Sequence, residues 1–337
     1  MIGTIRSLFV ELTGVVLLAA VMFMLLSGGN LLGNADESHS VIPSSLLSMN
    51  TIFLSILIEA MPFVLIGVLI AGMIQIFVTE DHIRRWMPKN RLMAVLMSCV
   101  LGGFFPACEC GIVPIVRRLI AKGVPVYAGV GFLLTGPIIN PIVILSTYMA
   151  FGNDANMAGL RMLLGFGVAI VVALIISLMF RGNQLKKSFP TESSPSCGVK
   201  LPFSERVEQM LRHSIDEFFD MSKYLILGAF LAAFVQTYVS SVWLMKLGEG
   251  LVLSTLIMMG LAFLLSLCSE ADAFIAASFR NLFTPSALLG FLVYGPMLDL
   301  KNTIMMLAVF RTRFVLVLCV LITIVVFGAI MLIQPWE

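Results

Sequence analysis

Nine apolar stretches, at about 8–28, 51–78, 92–121, 126–150, 159–180, 215–244, 251–281, 286–310 and 313–333, make up most of the 337 residues. Several reach the ~18 to 20 residues a helix needs to cross the hydrocarbon of a bilayer. Inside hydrocarbon the backbone must satisfy its own polar groups, so runs of this length become helices. The expected fold is all-α and polytopic. Composition agrees, because 12% of the residues are charged where soluble domains carry about 25%, and the mean hydropathy is +1.04. The net charge of +2 does not indicate nucleic acid, since the basic residues fall in short clusters between apolar runs, where they report topology.

Arg6 precedes the first run, from about Leu8 to Leu26. That run is long for a signal peptide and no A-x-A site follows promptly, so an uncleaved first transmembrane helix is expected. The stretch 181–213 is rich in Ser and Pro and basic, and reads as a cytoplasmic linker between halves 1–180 and 214–337.

The halves repeat. "IEAMPFVLIGVLIAG" from Ile58 matches "FDMSKYLILGAFLAA" from Phe219, pairing Gly67 with Gly228, and "PACECGIVPI" matches "LCSEADAFIA". Glu109 follows Glu59 by 50 residues and Glu270 follows Asp220 by 50, while Asn140 and Asp299 each lie 4 residues past Gly136 and Gly295. The repeats span about 51–150 and 214–310.

Basic residues then set the topology. A full crossing by 92–121 would place Arg117, Arg118 and Lys122 opposite Arg84, Arg85, Lys89 and Arg91, which the positive-inside rule disfavours. A turn at "GGFFPACECG" keeps both clusters on one side, with arms of about 14 residues or ~21 Å, too short to span. The same reasoning at "LLSLCSEADAF" predicts two re-entrant hairpins and about seven full transmembrane helices. The first repeat then enters from outside and the second from inside, an inverted-topology arrangement that many secondary transporters use.

Candidate functional residues cluster at the hairpin tips and at two breaks. An acid inside membrane segments is costly and rarely faces lipid, which singles out Glu109, Glu270 and Asp272 at the tips, with Glu59 as a further candidate. Cys108, Cys110 and Cys268 lie beside these acids, and soft thiolates select soft or borderline ions, so they are also the candidate metal ligands. Cys99 and Cys319 read as packing residues, and Cys197 in the linker carries no signal. "TGPIINP" and "YGPMLDL" break the fourth and eighth segments, where Pro frees carbonyls and Thr135, Asn140, Tyr294 and Asp299 bring polar groups. Lys301 is an intramembrane cation placed to neutralise an acid. Asp220 and Lys223, one turn apart, read as a solvated pair.

"PACECGIVPIVRRLIAKGVPVYAGVGFLLTGPIINP", with "LCSEADAF" and "YGPMLDL", resembles the bacterial predicted-permease family that includes YraQ and the ArsP organoarsenical exporters, over roughly residues 50–310. The resemblance implies an inner-membrane transporter, with members exporting trivalent methylated arsenic through Cys thiols. Cys108 and Cys110 match the first-repeat cysteines by motif position, and Cys268 the second-repeat site. Glu109 between the cysteines and the acidic "SEAD" depart from that pattern and keep metal cations open as the solute.

The function expected is a multi-pass permease of the cytoplasmic membrane, a secondary transporter that exports a small thiophilic or cationic solute, with possible proton coupling. The alternative is a membrane subunit acting through a cytosolic or membrane partner protein. No cofactor is expected. No G-x-x-x-x-G-K-[ST] or H-E-x-x-H motif is present, and an enzyme is not expected.

Overall fold

The computed structural model describes residues 44–77, 83, 87–88, 90–105, 108–180, 182, 184–186, 203–238 and 250–333. The expected first helix at 8–28 and Cys197 lie outside the described residues. Twelve helices make up the described architecture.

Four of them are long and apolar enough to cross a membrane. They are α1 (Ser44–Phe77), α6 (Ala155–Met179), α7 (Phe203–Tyr238) and α12 (Thr312–Ile333). The other apolar stretches fold as pairs of short helices. These are α2 (Arg91–Gly103) with α3 (Glu109–Ala121), α4 (Val126–Thr135) with α5 (Pro141–Ala150), α8 (Leu251–Leu265) with α9 (Ser269–Ser278), and α10 (Pro285–Met297) with α11 (Leu300–Val309). Of seven expected crossings, four are therefore continuous helices, two are broken pairs at 126–150 and 286–310, and one lies outside the described residues. Helix α7 starts at Phe203, within the stretch 181–213 read as linker.

Each break follows from local chemistry. Helix α4 stops at Thr135, before Gly136 and Pro137, and α5 restarts with Asn140 as N-cap and Pro141 in its first turn. Proline costs nothing there, because the first amides of a helix have no intrahelical acceptor. Pro296 sits in the last turn of α10, Leu298 is extended, and Asp299 caps α11. Helix α8 ends at Ser266, a non-glycine residue held in the left-handed region at φ +46°.

Close backbone crossings set the packing. A Cβ on Gly67 would lie 2.3 Å from the carbonyl oxygen of Gly111, so α1 and α3 touch backbone to backbone. In the second half, a Cβ on Gly228 would lie 3.1 Å from Cα of Lys301, so α7 lies against α11. Helices α1 and α7 also pack on one another, α2 packs on α4, α8 packs on α10, and α6 packs on α12. The start of the connecting segment is tied down as well: Leu185 bridges antiparallel to Phe310, with Lys186 N donating to Val309 O at 3.0 Å and Arg311 N to Gln184 O at 3.0 Å.

Gly67→Ala forces α1 away from the rigid backbone of α3, at a cost of about 1–3 kcal/mol. The expected result is a lower midpoint of thermal unfolding in detergent. Gly159→Ala, where a Cβ meets nothing within 4 Å, is expected to leave that midpoint unchanged.

Candidate functional site

The second helix of every broken pair begins with an N-cap residue: Cys108 for α3, Asn140 for α5, Cys268 for α9 and Asp299 for α11. Asn140 Oδ1 accepts from Ile142 N at 3.0 Å, Asp299 Oδ1 from Asn302 N at 2.6 Å, and Cys268 Sγ from Ala271 N at 3.4 Å. Cys108 makes no side-chain cap. Sequence spacing matches Asn140 with Asp299, and both are caps. The caps align Cys108 with Cys268, one residue away from the spacing that matches Glu109 with Glu270.

A helix N-terminus carries partial positive charge and stabilises acids in its first turn. Glu109 lies in the first turn of α3, and Glu270 and Asp272 in the first turn of α9. Glu109, Asp272 and Asp299 are each about 1% exposed, and the cations Lys301 and Arg161 are buried with them. Lys301 Nζ lies 3.6 Å from Asp299 Oδ2 and donates to the carbonyl of Ser266 at 3.4 Å. Arg161, on α6, donates to Thr147 Oγ1 at 2.6 Å and to the carbonyl of Ser269 at 3.0 Å. Lys301, Asp299 and Asp272 are the ionisable neighbours closest in effect to Glu109, and Asp272, Glu270 and Glu109 those of Arg161.

This centre is under-bonded. Among the described residues, eight buried side-chain atoms lack a hydrogen-bond partner, and seven are here: both oxygens of Glu109, both of Asp272, Asp299 Oδ2, Asn302 Oδ1 and Arg161 Nε. Six of the seven are acceptors. Asp272 also lies against the bare backbone of Gly295, where a Cβ would fall 2.7 Å from its Oδ2.

The remaining expected site residues lie at the margin. Cys110 is buried and its thiol contacts that of half-buried Cys108. Cys268 and Glu270 are half-buried, and Cys268 contacts Glu59, which is exposed midway along α1. The expected thiolate metal set of Cys108, Cys110 and Cys268 is not assembled: among the described residues no group of three or more His, Cys, Asp or Glu side chains could hold a metal ion. Cys108 and Cys110 sit at the cap and second position of one helix, whereas Cys268 caps another. Cys99 packs in the core, its Sγ 2.9 Å from where a Cβ on Gly131 would be.

Arg161 is the functional candidate that sequence reasoning missed. A cation inside the apolar stretch 159–180 was the available signal, because such residues are as costly as buried acids. A second unforeseen cluster lies at the far end of α3, where Arg117 Nη1 donates to Glu217 Oε1 at 3.0 Å and Arg118 Nε to Glu217 Oε2 at 2.8 Å. Glu217, on α7, is buried, so this pairing bolts the two halves together. One turn on, Asp220 and Lys223 form a pair at 3.2 Å with both side chains 40% exposed.

Gly295→Ala drives a methyl into the Asp272 carboxylate and is expected to lower the unfolding midpoint. Asp272→Ala removes the clash, so a double-mutant cycle is expected to show coupling of about 1 kcal/mol or more. Additive effects would contradict the contact.

Comparison with known proteins shows the family. A family profile named ArsP_1 and described as a predicted permease matches residues 45–335. The UPF0718 protein YcgR of Bacillus subtilis is 52% identical over 291 residues, covering 86% of this chain and 98% of its own length. A Streptococcus mutans protein, described as a candidate subunit of a two-component membrane permease complex, is 42% identical over 275 residues, covering 82% of this chain and 91% of its own. No solved structure matches the chain.

Proposed function

For a chain that belongs to the ArsP_1 family of predicted permeases, we propose a secondary transporter of a small cationic solute, bound where the half-helices α3, α5, α9 and α11 begin. The observation that carries this reading is the pair of buried, unpartnered carboxylates Glu109 and Asp272. A buried carboxylate without a partner is expensive, and a cation or a proton relieves that cost. Lys301, 3.6 Å from Asp299, serves as a tethered cation that stands in when no solute is bound. Protons and solute competing for the same oxygens would give proton antiport. The Cys108 and Cys110 thiols beside Glu109 favour a soft or thiophilic ion over a hard one, without forming a closed metal centre. The direction proposed is export across the cytoplasmic membrane.

The same reading makes the two halves inverted repeats whose broken pairs act as re-entrant hairpins and interrupted crossings. Paired packing supports it: α2 on α4 corresponds to α8 on α10, α3 on α4 to α9 on α10, and α3 on α11 to α5 on α9. The long helices depart from the symmetry, since α1 seats α3 while α7 seats α11.

A second reading is a membrane subunit that works only with a partner protein. The description of the Streptococcus mutans relative favours it.

Flux from proteoliposomes holding the purified chain tests both, using gradients of monovalent and divalent soft cations and a trivalent metalloid with a trapped pH dye. Wild-type protein is expected to move one of them with counterflow of protons, and Glu109→Gln and Asp272→Asn are each expected to cut the rate about tenfold or more, as loss of a charged partner does. Unchanged flux in both variants would remove these acids from the mechanism. Flux seen only after co-reconstitution with a membrane partner would establish the subunit reading instead.

A further inference from the structure

The tip of the second hairpin, residues 266–269, joins the end of α8 to the start of α9. The interruption leaves carbonyls at the end of α8 without helical donors, and lipid offers nothing in return. Two carbonyls of the tip, one at the end of α8 and one in the first turn of α9, are met by buried cations arriving from different helices. Ser266 O accepts from Lys301 Nζ of α11 at 3.4 Å, and Ser269 O accepts from Arg161 Nη2 of α6 at 3.0 Å. The tip is held further by Leu300 N, which donates to Ser266 Oγ at 3.1 Å. Ser266 meanwhile keeps a left-handed backbone at φ +46°, a conformation that persists only when its surroundings enforce it.

The division of labour at Arg161 is informative. Its guanidinium spends its two terminal nitrogens on Thr147 Oγ1 and Ser269 O, whereas Asp272, the charge that acts on it most strongly, has no hydrogen-bond partner at either oxygen. The cation is therefore fixed to α5 and to the tip, and the acid beside it is left open. A planar fork with fixed donor directions is suited to bridging two such acceptors, which a lysine ammonium is not.

We infer that Arg161 is a positioning residue: together with Lys301 it clamps the second hairpin tip from both sides, and so sets where Glu270 and Asp272 sit in the centre. The clamp matters for transport only if the centre is the solute site proposed above. Its existence can be tested without any solute.

Cys268 lies in the clamped turn and is half-buried, and Cys108 occupies the corresponding cap of the first hairpin with the same intermediate exposure. Alkylation of both thiols by N-ethylmaleimide, followed by peptide mass spectrometry on the full chain in native membrane vesicles, reads each tip separately. Arg161→Met is expected to speed labelling of Cys268 by about tenfold or more, as loss of a charged hydrogen bond would, and to leave the Cys108 rate unchanged. Lys301→Met is expected to speed Cys268 labelling as well, and Arg161→Lys to fall between wild type and Arg161→Met. Equal acceleration at Cys108 and Cys268 would mean general loosening and overturn the inference, as would an unchanged Cys268 rate in Arg161→Met. If Arg161→Met does not accumulate in membranes, Arg161→Lys decides: a Cys268 rate equal to wild type would overturn the clamp. Labelling that responds as expected while the flux assay fails would leave the clamp standing and remove only the transport reading.

Discussion

Interrupting a helix within a membrane creates amides and carbonyls that hydrocarbon cannot satisfy, and the architecture is organised around meeting that debt. At four interruptions the second helix restarts with an N-cap residue, and three of those side chains accept a backbone amide. The carbonyls of the second hairpin tip take donors from Lys301 and Arg161. Those cations in turn require acids nearby, and the helix N-termini stabilise acids in their first turns. Charge in the interior is thus a consequence of broken backbone, and the broken backbone is what lets charge be held there.

Glycine contacts make this arrangement compact. The acid-bearing start of α3 is pressed against α1 at Gly67 and Gly111, and the start of α11 against α7 at Gly228. Helices α1 and α7 therefore each seat one of the half-helices that open into the centre. Asp272 is seated differently, against the bare backbone of Gly295 on α10. At the other end of α3, Arg117 and Arg118 on Glu217 fix the same helix to α7, so α3 is anchored at both ends by elements of opposite halves.

Much of this was legible because it is local. The positions of Arg84 to Arg91 and Arg117 to Lys122 called for a break between them, and α2 and α3 are two 13-residue helices on either side of one. The Pro and Gly of "TGPIINP" and "YGPMLDL" located the breaks, and Asn140 and Asp299 emerged as matched caps. What escaped was decided by packing between distant residues. Arg161 finds Ser269 across 108 positions and Arg117 finds Glu217 across 100, distances at which spacing carries no signal. Gly67 and Gly228 correspond in sequence yet touch helices that do not correspond, because tertiary packing and not the repeat chooses the neighbour. The three thiols are not gathered at one point because Cys108 and Cys268 cap different helices, while Cys110, two positions on from Cys108, enters the core.

The balance of fixed charge at the centre has an electrical side. Among the described residues, Glu109, Asp272 and Asp299 oppose only Lys301 and Arg161 when all five are ionised. The group is neutral only with one additional positive charge, whether proton or monovalent ion. On the transport reading proposed above, filled and empty forms would differ by one charge inside the bilayer, and a full crossing of one charge is worth about 2.3 kcal/mol per 100 mV. Under that reading, voltage across the membrane would weigh one form against the other alongside concentration.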